Sequence, residues 1–253
     1  MRPYILAETN WYSLQNEKFE LAILPWGATE AHNYHLPYST DTIQADDLAA
    51  ESARLAWDKG AKVIVLPTIP FGVNTGQRDI YLDININPST QFAILSDIID
   101  VLNHHKIFKL LIFNSHGGNE FKAIVRELGI KYPKMLICIS NWYQALDKSK
   151  YFENQGDHAD EMETSLLLYL RPSLVLPKDK WGEGKAKKNR IQAFAEGWIW
   201  TERKWSQITE DTGIGNPQLA NIDKGLIYFN DLTVKISNVL CELCKADITD
   251  IYE

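Results

Sequence analysis

The sequence predicts an α/β fold: a single domain over residues 1–253, built as three α/β/α layers around a mainly parallel central sheet. Three observations lead there. Short, largely apolar runs at 19–24, 62–67, 108–113 and 135–139 have the form of strands covered on both faces. Segments with apolar residues at helical spacing separate them. Polar clusters follow three of the four runs, at the strand ends where open α/β sheets gather their sites.

The elements follow in order. Residues 1–18 are a mixed lead-in, a short helix or turn. The first strand, 19–24, runs into a loop over 27–42 that carries Glu30, His32, His35 and Asp41. A helix over 41–57 has Ala45, Leu48, Ala49, Ala53 and Ala56 on one face, with Gly60 as its stop. After the second strand, Pro70-Phe71-Gly72-Val73-Asn74-Thr75-Gly76 is a turn-rich loop. A helix over 89–105 is spaced through Phe92, Leu95, Ile99 and Leu102. The third strand delivers Asn114-Ser115-His116-Gly117-Gly118-Asn119 and then a helix over 120–128. The fourth ends at Ser140-Asn141-Trp142-Tyr143. A helix starting near Gly156 runs to Leu170, before Pro172, and carries Asp157, His158, Glu161 and Glu163 near its start. Residues 173–216 are irregular, and a closing helix spans 217–245 with Pro217 in its first turn.

Composition bounds the function. The net charge of −7 and the pI near 5.4 give no footprint for nucleic acid, and the one Lys-rich patch, 178–190, reads as a solvated loop. No uncharged apolar stretch of about 18 residues exists, so no membrane span is expected. The N-terminus lacks the apolar core of a signal peptide, and three cysteines suit a reducing cytoplasm. Cys241 and Cys244 form a lone CxxC on the closing helix and read as packing residues.

The chemistry lies in the histidines. Of six, His104 and His105 sit at a helix end, whereas His32, His35, His116 and His158 lie in loops or at a helix start beside acids or glycines. Glu30 and His32, two apart in an extended loop, point the same way. Asp41 has two oxygens and can bridge two ions. The expected centre is two divalent ions, zinc or manganese, held by Glu30, His32, Asp41 and His116. Such a centre activates water and polarises a carbonyl. His158, beside Asp157, is the candidate for moving the proton. Trp142, Tyr143, Trp181, Trp198 and Trp200 are candidates for pocket walls, weighed against the core.

The stretch Leu24-Pro25-Trp26-Gly27-Ala28-Thr29-Glu30-Ala31-His32, with His35-Leu36-Pro37 and Thr40-Asp41, resembles the first signature of the creatininase (creatinine amidohydrolase) family. Asn114 to Asn119 resembles the second, and His158-Ala159 with Glu163-Thr164-Ser165 the third. The resemblance covers roughly residues 20–172 and implies a metal-dependent hydrolase with a creatininase-like fold, a zinc or manganese centre with iron as a further option, a small-molecule substrate and a homo-oligomer, commonly a hexamer. It implies Glu30, His32, Asp41 and His116 as ligands, Asp41 the bridge, and His158 in proton transfer. Creatininase proper has a ligand Glu where this chain has Gly118. Glu163 is the first substitute and Glu120 the second. The family also carries Gly where this chain has Asp160.

The leading reading is hydrolysis of a C–N bond in a small, cyclic amide-type substrate, with creatinine itself disfavoured. The alternatives are a C–C hydrolase opening an oxidised, inosose-type cyclitol, and a metal-free relative without catalysis. No glycine fingerprint of a P-loop or dinucleotide fold follows the first strand.

Overall fold

The computed structural model describes residues 2–252. Its helices are α1 (Trp11–Leu14), α2 (Thr40–Asp58), α3 (Pro88–His104), α4 (Phe121–Lys131), α5 (Glu161–Leu170), α6 (Gln192–Ala195), α7 (Trp205–Ile208) and α8 (Ile222–Lys245). Its strands are β1 (Leu21–Trp26), β2 (Val63–Val65), β3 (Lys109–Asn114) and β4 (Leu136–Asn141). The sheet is wholly parallel, in the order β2-β1-β3-β4.

Strand residues alternate between two cores, as the period of two requires. Leu21, Ile23, Val63, Val65, Leu111 and Phe113 face one helical layer, where α8 packs across α2 and α5 through Leu48, Leu166, Tyr228 and Leu232. Ala22, Leu24, Trp26, Ile64, Leu110 and Ile112 face the other, with Leu95 and Ile99 of α3 and Phe121 and Leu128 of α4. Both faces of β1, β2 and β3 are therefore covered, with edge strand β4 only half-buried, which is why the first three runs lack polar alternation. Cys241 and Cys244 pack with the first of these cores, as free thiols.

Two predicted helix starts move. The helix expected from Gly156 begins at Glu161, because the Asp160 side chain caps it by accepting from the Glu163 amide at 3.0 Å. Ala159 just before it has a positive φ of 51°. Asp157 and His158 are thereby released into extended chain, where His158 pairs antiparallel with Ile214. The closing helix begins at Ile222, not Pro217, since Asn221 caps it through the Lys224 amide.

Register aims the site. Trp26 of β1 lies opposite Asn114 of β3, so the loops after both strands leave the sheet at one edge. Gly27 follows directly, and a Cβ there would collide with the Thr42 backbone. Glycine thus lets the first turn of α2, which carries Asp41, lie against the strand end.

Candidate metal centre

Five residues from four segments converge beyond that edge, each less than a tenth exposed: Glu30, His32, Asp41, His116 and Glu163. Their donor atoms form two triads, Glu30–Asp41–His116 and His32–Asp41–Glu163, which share Asp41. His116 Nδ1 lies 2.9 Å from Glu30 Oε1 and 3.1 Å from Asp41 Oδ2. His32 Nε2 lies 3.2 Å from Asp41 Oδ1 and 3.9 Å from Glu163 Oε1. The two Asp41 oxygens thus face different histidines.

The outer nitrogen of each ring is held by the backbone. His32 Nδ1 is 3.1 Å from the Glu30 carbonyl, His116 Nε2 is 3.0 Å from that of Val73, and His158 Nε2 is 2.8 Å from that of Ala31. Donation to those carbonyls leaves the inner nitrogen to face the carboxylates, the arrangement that orients imidazole toward a metal. His32 Nε2 and Asp41 Oδ2 are buried with no hydrogen-bond partner despite this proximity. Donors that converge on a common third point, and not on each other, have this geometry. Two carboxylates and one imidazole in each triad are a donor set suited to zinc or manganese. The residues fit the metal that the sequence calls for.

Electrostatics agrees. Burial drags on the charge of His32, but Asp41, Glu163 and Glu30 outweigh it and lift the ring to about 10. Burial likewise opposes His116, yet Glu30 and Asp41 raise it well above its ordinary value. Against the same burial, these imidazoles hold Glu30 and Asp41 below the usual carboxylate range. Metal-free, the cluster keeps Glu30 and Asp41 charged by holding protons on His32 and His116. Glu163 is pushed up to about 8, mainly by burial and by Asp41 and Asp160 against the pull of His32. Burial and the neighbouring His32 hold His158 down at about 4, so it is neutral near pH 7.

The centre opens into a cavity of about 680 Å³. His158 lines it, with Nδ1 3.8 Å from Glu30 Oε1. Asp157 also lines it, but its carboxylate pairs with Arg203 at the rim instead of with the His158 ring. Glu163 joins the donors, while Glu120 is exposed on the cavity wall. Gly118 explains why position 118 supplies no ligand: a Cβ there would run into the Val73 carbonyl and His116 Nε2, the pair whose hydrogen bond orients the ring. His35 stands outside both triads, stacked on Trp181 and bonded to Thr164 Oγ1 at 2.9 Å. Of the candidate wall aromatics, Tyr143 and Trp200 line the cavity, Trp142 is core and Trp198 is exposed. Asp160, the extra charge, is the α5 cap.

Sequence reasoning missed several residues. Gln77 donates from Nε2 to Glu30 Oε2 and fixes that ligand, though nothing in the turn-rich loop marks it. Trp205 packs its edge 4.7 Å from the His158 ring, with the Arg203 guanidinium over its face at 5.1 Å. Lys148 also lines the cavity, 4.0 Å from Asp160. The only signal for Trp205 and Arg203 was the aromatic richness of 173–216.

The chain matches the family Creatininase, described as creatinine amidohydrolase, over residues 7–240. A crystal structure of a protein of Bacteroides fragilis NCTC 9343, provisionally named creatinine amidohydrolase, is 38% identical, covers 100% of both chains and superposes with a TM-score of 0.94. A creatininase described as the Mn form is 19% identical over 96% of this chain and 99% of that one, TM-score 0.77. A mutant creatininase of the Zn-Zn type is also 19% identical, over the same shares, TM-score 0.76. No curated protein gives a significant match. From the site's donors, the parallel sheet and these likenesses together, the chain belongs to the creatininase family.

Proposed function

We propose that this chain is a metal-dependent hydrolase that cleaves a C–N bond in a small, cyclic amide-type substrate. The observation that carries the reading is Asp41 shared between two buried donor triads. In this reading Glu30, Asp41 and His116 would hold one divalent ion, and His32, Asp41 and Glu163 a second, zinc or manganese as in the two metal-described creatininases. Such ions supply Lewis acidity toward the amide carbonyl and acidify water.

The chain's residues do the rest. Gln77 keeps Glu30 oriented, and the carbonyls of residues 30 and 73 orient the two ligand imidazoles. His158 is neutral near pH 7 and presents Nδ1 to the cavity, with Nε2 held by Ala31. It takes the proton of the attacking water on Nδ1 and passes it to the leaving nitrogen. Trp205 excludes water from one side of that ring. Asp157 acts at one remove, by seating Arg203 on Trp205. The reading extends to one domain over 1–253, a cytoplasmic location and a homo-oligomer. No helix among the described residues is long and apolar enough to cross a membrane.

The test pairs elemental analysis of the purified protein with a panel of cyclic amides and cyclic diketones. The expected outcome is two ions per chain and turnover of an amide, with His158→Gln lowering kcat by roughly 100-fold or more while keeping both ions. Metal-free protein, turnover of a diketone only, or full activity in His158→Gln would each overturn it.

A further inference from the structure

The 178–204 segment contains eight Lys or Arg against four Asp or Glu, in a chain of net charge −7. Its first part, 178–190, reads in the sequence as a solvated loop, but the fold bends residues 186–204 into the wall of a groove of about 1450 Å³. Lys187, Lys188, Arg190, Arg203 and Lys204 line this groove, and Glu202 is the one acid that does so. Glu202 is engaged by Thr75 Oγ1, and Arg203 by Asp157. Among the described residues no ion pair is recorded for Lys187, Lys188, Arg190 or Lys204, so four cations are uncompensated. Phe194 and Ile199 give the groove an apolar wall.

The groove is continuous with the metal cavity, since residues 200–203 line both. Arg203 stands at the junction, over Trp205, which in turn touches His158. A molecule with one end at the donor triads therefore extends, past this junction, along a wall of unpaired cations and apolar side chains. Four like charges around one concavity repel each other and gain when an anion enters.

We propose that this groove is a subsite for an anionic tail, so that the substrate is elongated, with its hydrolysable amide at the metal end and a phosphate or carboxylate at the other. This rests on the hydrolase reading above, and the test separates the two. The probe is 1-anilinonaphthalene-8-sulfonate on the purified, metal-loaded protein, with neutral N-phenyl-1-naphthylamine as its uncharged counterpart.

The sulfonate is expected to bind tenfold or more tightly than the neutral probe. Its affinity should fall as salt is raised, because screening weakens exposed charges. The triple change Lys187→Ala, Lys188→Ala, Arg190→Ala should weaken it by about tenfold, the worth of one hydrogen bond to a charged group. Lys204→Ala serves if the triple variant does not fold. Displacement by 1-naphthyl phosphate or by 1-naphthoate names the tail group. Equal affinity for the two probes, indifference to salt or to the substitutions, or displacement by neither competitor overturns the proposal. So does loss of the sulfonate on chelating the metals, which would place the anion on the ions. Protein purified without metal that still binds the sulfonate in this way would overturn the hydrolase reading and leave the groove standing.

Discussion

Replacing Glu163 by Gln keeps the shape of a side chain that belongs to only one of the two triads. The His32–Asp41–Glu163 triad loses a charge, whereas Glu30–Asp41–His116 keeps every donor. The amide oxygen of Gln still accepts from the Ala159 amide, which Glu163 Oε2 does at 2.6 Å, so the α5 start is preserved. A change one step removed from a metal costs about 10- to 100-fold in affinity, and loss of a direct donor charge should cost at least the upper figure, about 2.7 kcal/mol. The remaining site should change by no more than about tenfold. A second signature follows from protonation. With the metal-free Glu163 at about 8, an ion arriving at pH 7 must displace a proton at a cost of ~1.4 kcal/mol. Affinity of the His32–Asp41–Glu163 site therefore rises with pH through 8 in the wild type, the His32 proton extending the rise toward 10, and it rises less steeply in Glu163→Gln. Calorimetric titration of chelated protein with Zn or Mn, checked by elemental analysis, reads both effects. Two ions bound as tightly as in the wild type would refute the assignment, and equal loss of both would refute the division into triads. Glu120→Gln is the control. It should bind two ions, because Glu120 is exposed on the cavity wall.

Three further outcomes are expected. Gly118→Ala should weaken metal binding at the His116 site about tenfold or more, through the Val73–His116 bond, whereas Gly117→Ala, which meets nothing within 4 Å, should not. Burial and His32 hold His35 at about 4, below its unfolded value, so its neutral form is matched in both states above pH 6.5 and stability is lost as pH falls toward 4. In urea melts of chelated protein, His35→Gln should reduce the drop between pH 7 and 4.5 by about 2.5 kcal/mol. Leu110→Ala, at a fully buried position on central strand β3, should cost about 2–5 kcal/mol by the same melts at pH 7.

The sheet was readable because central strands covered on both faces leave largely apolar runs, and the converging acids and imidazoles because Glu, His and Asp stand where those runs end. The residues that position the donors were not. Asp157 and His158 look like the acidic start of a helix until Asp160 captures the cap and Ile214 captures the strand. Trp205 and Arg203 depend on a segment seated from far along the chain. Asn33 Oδ1 accepts from the Gly182 amide at 2.9 Å, and Asp211 from Gly184 at 2.8 Å and Gly213 at 3.0 Å. No local period announces such bonds. The sequence ranks Glu163 ahead of Glu120, and burial adds to that ranking: Glu163 is buried among the donors and Glu120 is exposed.

Each triad draws two donors from the first 41 residues and one from beyond residue 115. An ion in either place would be a cross-link as well as a reagent. It would tie the N-terminal loop to the end of β3 in one case and to the start of α5 in the other. A covalent tie closing a loop on the order of 100 residues confers roughly 4–5 kcal/mol in chain-entropy terms. A reversible tie confers what its affinity and the free ion concentration allow. Chelation should therefore loosen the N-terminal loop, α5 and the strand edge together. Hydrogen exchange at those three places should quicken as one unit, while the amides of β1 and β3 within the sheet keep their pace.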